Sequence, residues 1–108
     1  TELENRIHGS QPITEAFGCA KTLRNDNSSR FGKFLMLNFN SSAKIQGASL
    51  DTYLLEKSRI TSVGTGERSY YIFYCMLKGL GSKTAELKLE AKPASYLYLS
   101  AGEVGEAS

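Results

Sequence analysis

Four consecutive apolar residues, Phe34-Leu35-Met36-Leu37, lie inside the segment Lys33 to Phe39. Successive side chains of an extended chain point to opposite faces, so this run is apolar on both, and such a strand needs cover above and below. It predicts a central strand of a sheet. Asn40-Ser41-Ser42-Ala43 reads as a turn and Lys44 to Leu55 as a second extended segment, so the two pair as an antiparallel hairpin. Gly47 marks a bulge or bend in it.

Before the hairpin, Leu3, Ile7, Ile13, Ala16 and Phe17 recur at near-helical spacing, with an interruption at Gly9-Ser10-Gln11-Pro12. This predicts two short helices or one broken one, with Pro12 in the first turn of the second and Gly18 as its stop. Asn25-Asp26-Asn27-Ser28-Ser29-Arg30 has no apolar residue and is rich in side chains that bond nearby backbone, so it is a loop. After the hairpin, a second polar loop runs from Thr61 to Gly66. Glu67 to Lys78 then carries Tyr70, Tyr71, Phe73, Tyr74, Met76 and Leu77 around most of a helix circumference, which predicts a largely buried helix. Gly79 and Gly81 end it, Ser82 caps a short helix through Leu89, and Pro93 blocks its extension. The tail from Gly102 to Ser108 is small and polar.

Composition narrows the function classes. The 108 residues carry 13 basic and 11 acidic side chains, a net charge of +2, with no basic cluster, so a nucleic-acid partner is not expected. The apolar runs fall far short of the roughly 18 residues of a membrane span. Thr1 to Arg6 is charged, unlike a secretory signal, and the reading is cytoplasmic. Cys19 and Cys75 form no zinc or redox spacing and are expected as buried, reduced thiols. The single His8 is expected to be a solvated helix residue, which leaves a His-rich metal site or a Ser-His-Asp triad poorly supported.

Three apparent motifs dissolve on inspection. Gly81-Ser82-Lys83-Thr84 lacks the glycine before the lysine and the first glycine that a phosphate-cradling loop requires. Gly64-Thr65-Gly66 starts a dinucleotide-type pattern but has Ser69 at its last position. Asp51 and Glu56 suggest a carboxylate pair, yet nothing at a suitable spacing supports acid-base work, and both are expected as exposed strand charges.

The loop between the first helix and the hairpin carries the chemistry. Ser28 and Ser29 offer hard hydroxyl oxygens suited to Mg²⁺, Asn25 offers an amide that donates to phosphate oxygens, and Arg30 offers a fork for a carboxylate or phosphate. On these residues alone a solvated loop with a surface arginine remains open.

The segment Ala20-Lys21-Thr22-Leu23-Arg24-Asn25-Asp26-Asn27-Ser28-Ser29-Arg30-Phe31-Gly32-Lys33-Phe34 resembles the switch I region of a myosin motor domain and the strand after it. Pro12 to Gly18 resembles the preceding helix, Tyr53-Leu54-Leu55-Glu56-Lys57-Ser58-Arg59-Ile60 the signature after the hairpin, and Gly66 to Tyr74 the helix beyond. Kinesins share the Asn-x-x-Ser-Ser-Arg core but follow it with Ser-His, where this chain has Phe31-Gly32. Ser10-Gln11, Cys19, Met36, Ser69 and Tyr71 depart from the common myosin pattern, which leaves the myosin class open.

The resemblance implies an α/β fold of mixed helices and strands, a fragment of a P-loop NTPase motor domain. In it, 1–23 is the helix leading to switch I, 24–32 is switch I, 33–55 is a transducer hairpin, and 56–108 supplies the loop and helices of the adjoining upper subdomain. It also implies an actin-activated Mg-ATPase of the cytoplasm, associated with the cytoskeleton, whose actin filaments and light chains or calmodulin bind elsewhere in the protein. By matching position, Ser29 ligates Mg²⁺, Ser28 contacts the γ-phosphate and attacking water, Asn25 bonds phosphate oxygens, and Arg30 bridges to a glutamate of switch II, a motif these residues do not contain. Ser28 and Arg30 are then the catalytic pair. The alternative is a stand-alone α+β binding module without ATPase activity. A strand and a helix apolar on all sides further imply that the chain folds poorly without neighbours.

Overall fold

A computed structural model describes residues 1–102. Helix α1, Glu2–Gly18, opens with a capping box: the Thr1 hydroxyl accepts from the Glu4 amide at 3.2 Å while the Glu4 carboxylate turns back on the Thr1 nitrogen. The helix runs unbroken through Pro12, against the expected interruption. A proline removes one ladder hydrogen bond, but residues 8–12 are solvent-exposed, so water takes up the carbonyls this frees. The helix does end at Gly18, although not through a left-handed cap. Cys19 is extended at φ −114°, and the glycine answers to packing, because a Cβ there would stand 2.2 Å from the Phe31 ring.

Two short strands, β1 (Cys19–Ala20) and β2 (Ser28–Ser29), pair antiparallel with Cys19 opposite Ser29 and Ala20 opposite Ser28. The longer hairpin follows: β3 (Gly32–Phe39) and β4 (Ile45–Tyr53), from Gly32 opposite Tyr53 to Phe39 opposite Ile45. Its turn is held by Asn40, whose side-chain oxygen accepts from the amides of Ser42 and Lys44, each at 2.9 Å. The expected bulge is there. Asn38 faces Gly47 and Phe39 faces Ile45, so Gln46 is the extra residue.

Among the described residues the hairpin is not the centre of a larger sheet, against the expected central strand, since β3 pairs there with β4 alone. Both of its faces are open: Phe34 is 56% exposed, Leu35 43% and Met36 47%. The physical reason is that α1 packs against α3 and β1 as well as β4, so it does not spread as a layer over the β3–β4 pair, whose apolar residues stay exposed. The radius of gyration, 17.4 Å, exceeds the value of about 13 Å expected for a compact chain of this length.

Beyond the hairpin come α2 (Ser58–Thr61), α3 (Tyr71–Gly79), α4 (Lys83–Glu86), a 3-10 turn (Pro93–Ser95) and α5 (Leu97–Ser100). The aromatic helix starts four residues later than its periodicity predicts, because the Arg68 amide bonds the Lys21 carbonyl at 3.0 Å and Tyr70 bridges to Ala20, keeping that stretch extended. It is half-buried rather than largely buried. Leu77 is enclosed and Tyr74 donates to the Leu99 carbonyl at 3.0 Å, while Met76 and Cys75 are exposed. Cys75 therefore departs from the expected buried thiol, whereas Cys19 fits it. Ser82 precedes α4 without a side-chain cap, and that helix ends at Glu86, short of Leu89. The core is small and lies where chain segments cross: Cys19, Ala20, Ser69, Tyr70, Leu77 and Leu99, with the buried cation of Arg59. His8 is exposed, as expected, and the predicted small polar tail lies outside the described residues apart from Gly102.

Candidate functional site

The polar loop lies between β1 and β2, and its own side chains shape it. Thr22 and Asn25 close a turn in which the Thr22 amide and hydroxyl both donate to the Asn25 carbonyl, at 2.9 and 3.1 Å, and the Asn25 amide donates back to the Thr22 hydroxyl at 3.2 Å. The Asn25 side-chain oxygen then accepts from the Asn27 amide at 2.9 Å. The turn thus engages the oxygen of the exposed Asn25 side chain and not its NH₂, which carries two donors.

Alternation along the chain divides the next three residues. Ser28 and Arg30 are two apart and meet: Arg30 Nη1 donates to Ser28 Oγ at 3.2 Å. Ser29 lies on the other side, exposed, with its hydroxyl donating to the Phe31 carbonyl at 3.2 Å. The same oxygen also meets the Cys19 thiol, and the lone-pair capacity these two contacts leave is the hard-oxygen chemistry Mg²⁺ takes, usually beside waters and substrate phosphates. Among the described residues no cluster of His, Cys, Asp or Glu is arranged to hold a metal. The structure thus brings Ser28 and Arg30 together and keeps Asn25 and Ser29 as separate, exposed groups.

The Arg30 backbone is locked on both sides, donating to the Gly18 carbonyl at 2.8 Å and accepting from the Glu56 amide at 2.9 Å. Its side chain is held by the same residue, with Nε donating to Glu56 Oε2 at 2.5 Å. Glu56 is the functional neighbour that sequence reasoning missed. It is no exposed strand charge; it follows β4 and takes a second arginine, Arg59, whose Nε reaches Oε2 at 3.0 Å. Asp51, its supposed partner, is an exposed strand residue as expected. Arg59 is 6% exposed and also donates to Glu67 Oε2 at 2.8 Å and to the Arg68 carbonyl at 3.1 Å. A signal existed in the sequence: Glu56 and Arg59 stand three apart at the start of a helical turn, the spacing of facing side chains.

Electrostatics follow the geometry. The hydrogen bond from Arg30 holds the Glu56 carboxyl below the ordinary carboxylate value, burial opposes this, and Arg59 adds to the lowering. Burial works against the Arg59 charge, but the bonds to Glu56 and Glu67 outweigh it and raise the pKa above its ordinary value. Burial pushes the Cys19 thiol up, more than its hydrogen bond with Ser29 pulls it down.

Comparison with known proteins converges. The family described as Myosin head (motor domain) matches residues 1–107. Unconventional myosin-VIIb of Mus musculus is 49% identical over 100 residues, which are 93% of this chain and 5% of that protein. Unconventional myosin heavy chain 6 of Caenorhabditis elegans is 50% identical over 102 residues, 94% of this chain and 5% of the relative. Myosin-51 of Schizosaccharomyces pombe is 45% identical over 106 residues, 98% of this chain and 7% of the relative. The chain thus spans about a twentieth of the length of these relatives.

Proposed function

The chain belongs to the myosin head (motor domain) family, and from that premise we propose that it supplies the γ-phosphate switch of an actin-activated Mg-ATPase motor. In this reading residues 24–32 are switch I, and the hairpin 33–55 carries its movement into the rest of the motor. The substrate is Mg-ATP. Ser29 is the hydroxyl that ligates its Mg²⁺, and the NH₂ of Asn25 bonds phosphate oxygens. Ser28 contacts the γ-phosphate and the attacking water, and Arg30 bridges to a glutamate of switch II. Phosphoryl transfer depends on positioning and charge stabilisation, so a loop that closes only on a complete γ-phosphate couples hydrolysis to shape. Actin filaments, and light chains or calmodulin, bind other parts of such a motor, which is cytoskeleton-associated in the cytoplasm; the charge of +2 on this segment gives no cause to add a nucleic acid.

The observation that carries the reading is the pairing of Ser28 with Arg30, one a hydroxyl and the other a fixed cation, at 3.2 Å on a loop locked by backbone bonds at Arg30. A stand-alone α+β binding module needs a closed core, and the open faces of the hairpin argue against it.

The test is charge reversal within the complete motor domain that contains this segment. Arg30→Glu abolishes Mg-ATP hydrolysis, and reversing the switch II glutamate as well restores part of it. A double variant no better than either single one contradicts the bridging role.

A further inference from the structure

Glu56 is bound to Arg30 twice over, through its amide on the Arg30 carbonyl at 2.9 Å and through Oε2 on Nε at 2.5 Å. It is itself anchored from behind. Tyr70 donates its hydroxyl to the Glu56 carbonyl at 2.8 Å, and Arg59, buried and fixed by Glu67 and the Arg68 carbonyl, grips the same Oε2. We propose that Glu56 is a positioning residue for the loop chemistry: by holding Nε it sets the plane of the Arg30 guanidinium, and through Nη1 it fixes the Ser28 hydroxyl.

The consequence for Ser28 is directional. Its Oγ accepts a hydrogen bond from Arg30, so its own O–H points elsewhere and is available to a phosphate or a water. A guanidinium has five N–H donors in a rigid fork, of which Glu56 and Ser28 engage one each. An incoming carboxylate therefore docks on the terminal nitrogens while Glu56 keeps Nε, and Arg30 serves two carboxylates at once instead of exchanging one for the other. Glu56 touches no substrate in this scheme, and its effect passes entirely through Arg30.

This inference rests on the hydrolytic reading of the loop, and the experiment separates the two. In the complete motor domain, Glu56→Gln removes the charge and presents an amide to two arginines, while Glu56→Asp keeps the charge on a shorter arm. The expected result for Glu56→Gln is a kcat lower by about 10- to 100-fold, the loss of a charge-assisted hydrogen bond, with KM for Mg-ATP changed less than about 3-fold. Glu56→Asp recovers part of kcat. Should Glu56→Gln fail to fold, Arg59→Lys loosens the anchor while sparing Arg30, and kcat falls about 3- to 10-fold at constant KM. A variant set in which kcat and KM worsen together, or in which kcat stays at the wild-type level, overturns the positioning role. A wild-type motor that does not hydrolyse Mg-ATP overturns the hydrolytic reading itself.

Discussion

The ion-paired junction and the hairpin solve opposite problems. At the junction, polar and charged groups from residues 18, 30, 56, 59, 67 and 70 meet and answer one another, and among the described residues no buried side-chain nitrogen or oxygen is left without a partner. On the hairpin, strands with a nearly complete ladder carry Phe34, Leu35, Met36, Leu37 and Leu50 into solvent on both faces. Hydrogen bonds can be closed within a short chain because each needs a single partner. Apolar faces need a whole layer, which α1 and α3 do not provide.

That contrast makes the junction the fragile part under mutation. Arg59→Ala removes the cation that two carboxylates share and should produce the largest loss, about 2–3 kcal/mol. This lies below the usual cost of breaking a fully buried pair because Glu56 and Glu67 keep some access to water. Chemical denaturation of the 108-residue chain reads it, and a loss under 0.5 kcal/mol on the order of a surface substitution would dissolve the contrast.

Acidification should act on the same network more gently. The native Glu56 carboxyl titrates below its unfolded value, so its contribution is complete above the ordinary carboxylate pKa of ~4.3 and disappears as pH falls through the depressed native value. Urea midpoints measured between pH 7 and pH 3 should therefore decline at the acid end, and Glu56→Gln should flatten that decline.

The smallest effect belongs to the hairpin. Met36→Lys, on a residue 47% exposed, should change stability by less than about 0.5 kcal/mol while raising solubility. A cost comparable to Arg59→Ala would mean that the hairpin face is packed in solution.

The same division explains what was legible in the sequence. The hairpin, its turn at Asn40 and its bulge beside Gly47 depend on neighbours in the chain, and so does the turn closed by Thr22 and Asn25; local pattern was enough for them, whereas Ser28 and Ser29, expected in the loop, are drawn into β2 by Cys19 and Ala20. Where distant partners decide, local pattern misled. Tyr70 reads as helical until Ala20 pairs with it, and Pro12 reads as a break although an exposed helix tolerates it. Glu56 reads as a stray carboxylate because its decisive partner, Arg30, is 26 residues away. The apolar run at Phe34 does mark a strand, but its expected central place is not met: among the described residues β3 has one neighbour, and its apolar side chains are exposed.

Amide hydrogen exchange on the 108-residue chain tests most directly whether the junction organises this structure. The amides of Arg30, Glu56 and Arg68, which bond across separate segments, should exchange more slowly than the ladder amides of 34–37 and 48–51, because a two-stranded hairpin open on both faces is marginal in water. Slower exchange in the hairpin than at Arg30 and Glu56 would contradict the account.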